Sequence, residues 1–317
     1  MKALAISLCA LVLIGSHNAV SQTVTPRSVA QQRITTGKCA VLQNICTLDP
    51  NYKPVPNLTY GKDDPSYTRP SCQSPSTAAE RSLIRNTIDQ TSGQLRKDLC
   101  NLDNIFILRN VSSRSWGFYE SPDYHTTSGY TAIALNTDDL NVTFSTKQNN
   151  NNRIGLGITN GNHNETSLPT SVVPETWGLL YVLAHELGHI KWHKAAYDRN
   201  CPNAIRTTWS SLGQSRWTGF NEQFGTRDTN VVPQPPTNLS QAQLNNAYKG
   251  EFATALAAAN SEEDFVESYA LRAVNKACNG CKFTLDISTG NSVDLMDNNR
   301  GSNKLKGKFN CGDNSAR

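Results

Sequence analysis

The chain has 317 residues, of which 37% are hydrophobic, and it carries a formal net charge of +4. This length can bury a substantial core in one large domain, or in one domain with an extension. Because the net charge is small and the basic residues are scattered, the composition gives no support for nucleic-acid binding.

The N-terminus has the pattern of an export signal. A short basic start, Met1-Lys2, precedes a mainly apolar run over residues 3–15, which is too short to span a bilayer. Small residues near position 21 offer a cleavage site, so residues 1–21 are predicted to be a signal peptide. No later apolar run reaches the length of a membrane helix, about 18 residues. We therefore expect a secreted protein, periplasmic if the source is bacterial, with no membrane partner.

Cysteine usage agrees with export. Removal of Cys9 with the signal leaves eight cysteines, an even number that allows up to four disulfides, although their pairing stays open. The sequence Cys278-Asn279-Gly280-Cys281 has the spacing of redox and zinc-knuckle sites, but no second such pair follows it. A structural disulfide is the favoured interpretation of this pair.

The first part of the mature chain, residues 22–75, is rich in Pro, Thr, Ser and Cys and has little periodicity. It is predicted to be an extended, disulfide-pinned N-terminal extension, and a propeptide is the alternative. A helix is then expected to begin at Ser74 and Pro75. Apolar residues recur at helical spacing along it, namely Ile84, Ile88, Leu95 and Leu99.

Four β-branched and aromatic runs follow this helix, and they are typical of strands in a small antiparallel or mixed sheet. They cover residues 105–108, 117–119, 130–135 and 153–158. The Asn-rich run over residues 148–152 is predicted to be a loop.

The next segment predicts a helix that begins at Pro174, continues to about Tyr197 and contains His185-Glu186-Leu187-Gly188-His189. Residues four apart on a helix lie on one face about 6 Å apart, within reach of one tetrahedral metal ion. Glu186 then lies where it can take a proton from a water activated by the metal. The alternative is two surface histidines and a solvated glutamate. It is disfavoured because apolar residues surround the motif, and polar groups in such a helix usually have partners.

A catalytic zinc usually has three protein ligands, so we expect a third ligand downstream of the two histidines. Another helix is predicted over Glu262 to Lys276, with apolar residues at successive turns. Glu263 and Glu267 are four residues apart on it, so one can bind the metal while the other accepts a hydrogen bond from a ligand histidine. The alternative is an acidic first turn favoured by the helix dipole. This alternative explains Glu262 and Glu263 better than Glu267, which has apolar neighbours.

Together, the HELGH motif and the stretch Glu263-Asp264-Phe265-Val266-Glu267 resemble the gluzincin class of zinc metallopeptidases, especially secreted lethal-factor-like members. The resemblance implies that His185, His189 and Glu263 bind one zinc ion. It also implies that Glu186 is the general base and that Glu267 supports the site.

This resemblance covers roughly residues 80–276 and implies a zincin-like α+β fold for the predicted domain over residues 76–277. The Asn- and Gly-rich residues 278–317 are predicted to be a Cys-containing tail. In that fold the strand near residues 154–158 would be the edge to which a substrate adds. One departure concerns a tyrosine that lethal-factor-like enzymes carry shortly before the second motif. It is missing here near Leu256. Tyr248 and Tyr269 are candidates for its role, although a structural aromatic is favoured for both.

Two alternatives remain open beside the main prediction, a secreted zinc endopeptidase acting on a peptide or protein substrate. Gly225-Thr226-Arg227-Asp228 resembles part of the aspzincin motif of deuterolysin-like peptidases, in which an Asp replaces the third ligand Glu. The Tyr-Gly that should follow it is missing. The second alternative is a non-catalytic secreted binding protein on a metallopeptidase fold.

Overall fold

The computed structural model describes residues 39–52, 69–109, 115–120, 129–151, 162–166, 174–194, 252–254, 256–258, 261–279, 281–288, 291–297 and 305–309. It confirms a mixed α+β class, with a five-stranded sheet, a three-stranded sheet and six α-helices in the described part of the chain. None of the described helices is long and apolar enough to cross a membrane.

The five-stranded sheet is mixed. Its strands are β1 (Ile45–Leu48), β2 (Cys72–Pro75), β3 (Asn104–Leu108), β4 (Trp116–Glu120) and β5 (Tyr130–Asn136). Their order is β2-β1-β3-β5-β4, with the three central strands parallel and the outer two antiparallel to them. The N-terminal segment thus contributes two strands to the same sheet as the later strands.

The helices are α1 (Ala78–Asp89), α2 (Gly93–Cys100), α3 (Phe144–Asn150), α4 (Pro174–Lys194), α5 (Ser261–Cys278) and α6 (305–309). In the part of the chain that the structure describes, three short 3₁₀ helices cover Ala40–Gln43, Thr137–Asn141 and Leu256–Ala258. The predicted start of α4 at Pro174 and the predicted span of α5 are confirmed to within two residues.

The predicted first helix is wrong in its start and its continuity, because Pro75 ends β2 and two helices follow. Thr77 begins α1 through a capping box. Its side chain accepts from the Glu80 amide (3.2 Å), and the Glu80 carboxylate accepts from the Thr77 amide (2.8 Å). Gly93, at φ 58°, begins α2 in a conformation that glycine adopts without strain and that interrupts a continuous helix.

The predicted loop over residues 148–152 is also wrong, since residues 148–150 belong to α3. The Thr143 side chain caps this helix by accepting from the Thr146 amide at 3.2 Å. Phe144 and Gln148, one turn apart, are both buried, and the Phe144 ring packs 5.3 Å from that of Tyr181 in α4. Capping and burial thus outweigh the modest helix propensity of asparagine.

The three-stranded sheet was not predicted. It comprises β6 (Asn162–Thr166), β7 (Lys282–Ser288) and β8 (Asn291–Asp294), in the antiparallel order β6-β7-β8. In β7, the buried Phe283 and Leu285 alternate with polar neighbours, a period-two pattern that the Asn- and Gly-rich composition of the tail obscured.

Three disulfides fasten the described chain. Cys39–Cys100 joins the first 3₁₀ turn to the end of α2, Cys46–Cys72 joins β1 to β2, and Cys278–Cys281 closes the end of α5. Cys201 and Cys311 lie outside the described residues.

The long helix α4 is buried along most of its length, with β4 and β5 against one side and α5 against another. Gly117 of β4 makes the closest approach on the sheet side. A Cβ atom there would lie 2.3 Å from the Glu186 carbonyl oxygen and 3.2 Å from the Ile190 side chain. Only glycine therefore permits this spacing, which places β4 directly beside the Glu186 backbone.

Candidate metal centre

The candidate site lies where α4 packs on α5. His185 and His189 are one turn apart on α4, and Glu263 lies in the first turn of α5. The His185 and His189 Nε2 atoms are 3.3 Å apart. The Glu263 carboxylate lies 3.6 Å from the former and 3.7 Å from the latter. One ligand atom from each residue falls within 4.8 Å of the others, so this group could hold a metal ion.

Both imidazoles are oriented by carboxylates of α5. His185 Nδ1 donates to Glu267 Oε1 at 2.7 Å, and His189 Nδ1 donates to Glu262 Oε1 at 2.7 Å. Because a carboxylate only accepts, each contact places the ring proton on Nδ1. Nε2 is thus the nitrogen of each ring that can bind a cation in place of a proton, the arrangement typical of metal-binding histidines.

Glu267 is the most deeply buried member of the site, with a fully buried side chain. Beside His185, it accepts a hydrogen bond from the Tyr181 hydroxyl and another from Thr254 Oγ1 at 2.5 Å. Burial alone would raise the pKa of Glu267, but these hydrogen bonds, with that from His185 foremost, outweigh burial and lower it. The carboxylate is therefore held ionised inside the core.

Sequence reasoning missed Tyr181 and Thr254. Tyr181 lies four residues before His185, so helical spacing alone could have placed it on the same face of α4. No comparable local pattern points to Thr254, which precedes α5 and reaches Glu267 through the packing of the chain. The phenol pKa of Tyr181 is raised well above its usual value by burial and by the charge of Glu267. Its hydroxyl thus stays protonated as a donor.

Charges within the cluster favour bound protons in the absence of a metal. Burial would lower the pKa of His189, but the charge of Glu263 and the hydrogen bond to Glu262 raise it to about 10. The pKa of His185 is also raised, because the hydrogen bond to Glu267 and the charge of Glu263 outweigh burial. Burial raises the pKa of Glu263 against the opposing influence of both histidines. The site is therefore electrostatically suited to a cation.

Glu186 lies at this cluster without belonging to it. Its side chain is 6% exposed, and its charge contributes to the raised pKa of both histidines. Among the described residues, its carboxylate has no hydrogen-bond or ion-pair partner. Glu262 and Glu267, in contrast, are each bound to a ring nitrogen. Its position beside the two histidines places a further negative charge at the site.

Tyr269 lies in the core. Two residues after Glu267, it points about 200° around the helix from that side chain. It is buried, stacks on Phe265 with ring centroids 6.1 Å apart and receives the Lys191 ammonium 5.6 Å from its ring centroid. These contacts are those of a packing aromatic.

Other residues considered from the sequence lie outside the described part of the chain. They are Asp228, Tyr248 and the strand predicted over residues 153–158. The side chain of His193 is likewise not described.

No protein-family model, curated protein or solved structure matches this chain.

Proposed function

We propose that this chain is a secreted zinc-dependent endopeptidase of the gluzincin class, built on a zincin-like fold. The observation that carries the proposal is the triangle of His185, His189 and Glu263, with both Nδ1 atoms held by carboxylates. Glu186, beside these three residues, supplies the carboxylate that would act as the general base in hydrolysis.

The dimensions of the triangle support zinc. Zinc bonds to imidazole nitrogen and carboxylate oxygen are about 2.0–2.2 Å long, so two ligand atoms of a tetrahedral site lie roughly 3.3–3.6 Å apart. The two Nε2 atoms are 3.3 Å apart, and the Glu263 carboxylate approaches His185 Nε2 through Oε2 at 3.6 Å and His189 Nε2 through Oε1 at 3.7 Å. The donor set of two histidines and one glutamate is that of catalytic zinc sites, which keep a fourth position open. The group has three members among the described residues, the number of protein ligands that catalytic zinc sites use.

In the proposed reaction, the ion would lower the pKa of water at the site and polarise the scissile carbonyl. Glu186 would accept the water proton on its carboxylate and then donate it to the nitrogen of the leaving amine. His185, His189 and Glu263 would bind the ion through Nε2, Nε2 and a carboxylate oxygen. The assignment of residues 154–158 as the substrate strand stays a prediction.

The test compares wild-type protein with Glu186→Gln, and with Glu175→Gln as a matched control that removes the same charge from the first turn of the same helix. Each protein is incubated with a diverse peptide library, and cleavage products are read by mass spectrometry. We expect chelator-sensitive cleavage by wild type and by the Glu175 variant. Loss of the general base should reduce turnover by about 10²–10⁴-fold, while zinc still binds.

Two outcomes would redirect the proposal. Zinc binding without any cleavage by wild type would favour a non-catalytic binding protein. The missing tyrosine near Leu256 supports that alternative. If Asp228→Ala abolished zinc binding while Glu263→Ala retained it, the third ligand would be that of an aspzincin.

A further inference from the structure

Glu262 occupies a place in the site that neither its sequence neighbourhood nor the family resemblance assigns. Its Oε1 atom lies 2.7 Å from His189 Nδ1, on the side of the ring opposite the metal-facing nitrogen. It mirrors Glu267, which makes the same contact with His185 at the same distance. Helix α5 thus supplies one metal-facing carboxylate, that of Glu263, and two carboxylates that hold histidines.

We propose that Glu262 is a positioning residue for His189, fixing the ring so that Nε2 faces the ion. This rests on the proposed zinc site and adds a residue to it. A carboxylate hydrogen-bonded to Nδ1 fixes the tautomer and orientation of a ligand histidine and increases its basicity. Without that acceptor, the His189 ring is free to rotate about its χ2 bond, and the population with Nε2 towards the ion falls.

The two carboxylates that accept from the histidines, those of Glu262 and Glu267, differ in how deeply they are buried. Glu267 is fully buried and has three hydrogen-bond donors, so its replacement would disturb the core as well as the site. The Glu262 side chain is 24% exposed, and water can solvate whatever group replaces it. Variants at Glu262 therefore disturb the core less than variants at Glu267, and they are the better test of positioning.

An acidic residue in a first helical turn also interacts favourably with the helix dipole, typically by about 0.3–1 kcal/mol. This is the competing explanation for Glu262, and it predicts an effect on stability alone. Glu175 occupies the first turn of α4. Glu175→Gln removes the same charge from an equivalent position and serves as the matched control.

The experiment measures zinc affinity by chelator competition for wild type, Glu262→Gln, Glu262→Ala and Glu175→Gln, together with the thermal midpoint of each metal-free protein. Loss of a group that orients a ligand typically lowers metal affinity by about 10–100-fold. We expect Glu262→Ala to show the larger loss and Glu262→Gln, which keeps an acceptor oxygen, the smaller one. Glu175→Gln should bind zinc like wild type. The metal-free midpoints of the Glu262 variants should fall, because they lose the ion pair with His189, so zinc affinity relative to Glu175→Gln is the readout that decides.

A second readout separates positioning from stability. The visible absorption of the cobalt-substituted protein depends on the geometry of the ligands, so it should change in Glu262→Ala and be unaltered in Glu175→Gln. Wild-type zinc affinity and an unchanged cobalt spectrum in Glu262→Ala would overturn this inference alone. Failure of wild type to bind zinc would overturn the proposed function and this inference with it.

Discussion

Replacement of Gly117 by alanine tests how closely β4 must approach the helix that carries the two histidines. An added Cβ would lie 2.3 Å from the Glu186 carbonyl oxygen and 3.1 Å from its carbonyl carbon. Ordinary contact begins near 3.4 Å, so the strand and the helix would have to separate by roughly 1 Å. The obstructing atoms belong to the backbone of a buried helix, and no side-chain rotation can relieve the contact.

Overpacking of this kind typically costs about 1–3 kcal/mol. In a large domain, each kcal/mol lowers the thermal midpoint by about 2–4 °C. We therefore expect Gly117→Ala to lower the midpoint by roughly 2–12 °C. The measurement is calorimetry or urea unfolding in the presence of a chelator, so that metal binding does not contribute to the free energy of unfolding.

Gly188 provides the comparison on the other side of the same helix. A Cβ there would lie 3.2 Å from Val266 Cγ1 and 3.3 Å from Val266 Cα, which requires a shift of only a few tenths of an ångström. Alanine also gains about 1 kcal/mol over glycine in a helix interior. Gly188→Ala should therefore be nearly neutral. Wild-type stability in Gly117→Ala, or a larger loss in Gly188→Ala, would refute the reasoning.

Two further predictions concern charge. The folded metal-free protein has a His189 pKa of about 10 against an ordinary value of 6.5. Protonation of His189 thus stabilises the fold fully below about pH 6.5, and this contribution is lost as the pH rises towards 10. Urea unfolding of metal-free protein should show the decline, and constant stability across that window would contradict it. The buried Lys308 ammonium lies 2.5 Å from the Asp264 carboxylate. Lys308→Met should cost about 3–5 kcal/mol, and a loss below about 1 kcal/mol in urea titrations would contradict the role of this ion pair.

The elements predicted correctly have strong local signals. The apolar runs of β3 and β5 and the proline at the start of α4 mark their elements without reference to the rest of the chain. Where composition was given more weight than pattern, the predictions failed. The Asn-rich end of α3 and the alternating β7 both depend on buried residues that a polar composition conceals.

Local spacing predicted the relations within each helix, and the family resemblance supplied the meeting of Glu263 with the two histidines, but neither predicted the partner of His189. Four-residue spacing brought His185 to His189 and Glu263 to Glu267, because that relation is fixed by the helix itself. The pairing of Glu262 with His189 depends on how α4 and α5 are rotated and shifted against each other. That relation is set by side-chain packing between segments 73 residues apart along the chain, and nothing in either segment alone encodes it.

The charges around α4 suit the site to two positive charges, whether protons or a divalent ion supply them. Four carboxylates, those of Glu186, Glu262, Glu263 and Glu267, contribute to the raised pKa values of the histidines. Each imidazole that takes up a second proton gains one positive charge, so two protonated rings carry two. A divalent ion that replaces those two protons carries the same charge, so the net charge of the buried site does not change. Since burying uncompensated charge is costly, carboxylates that stabilise two imidazolium rings can equally stabilise two neutral rings with a divalent ion between them.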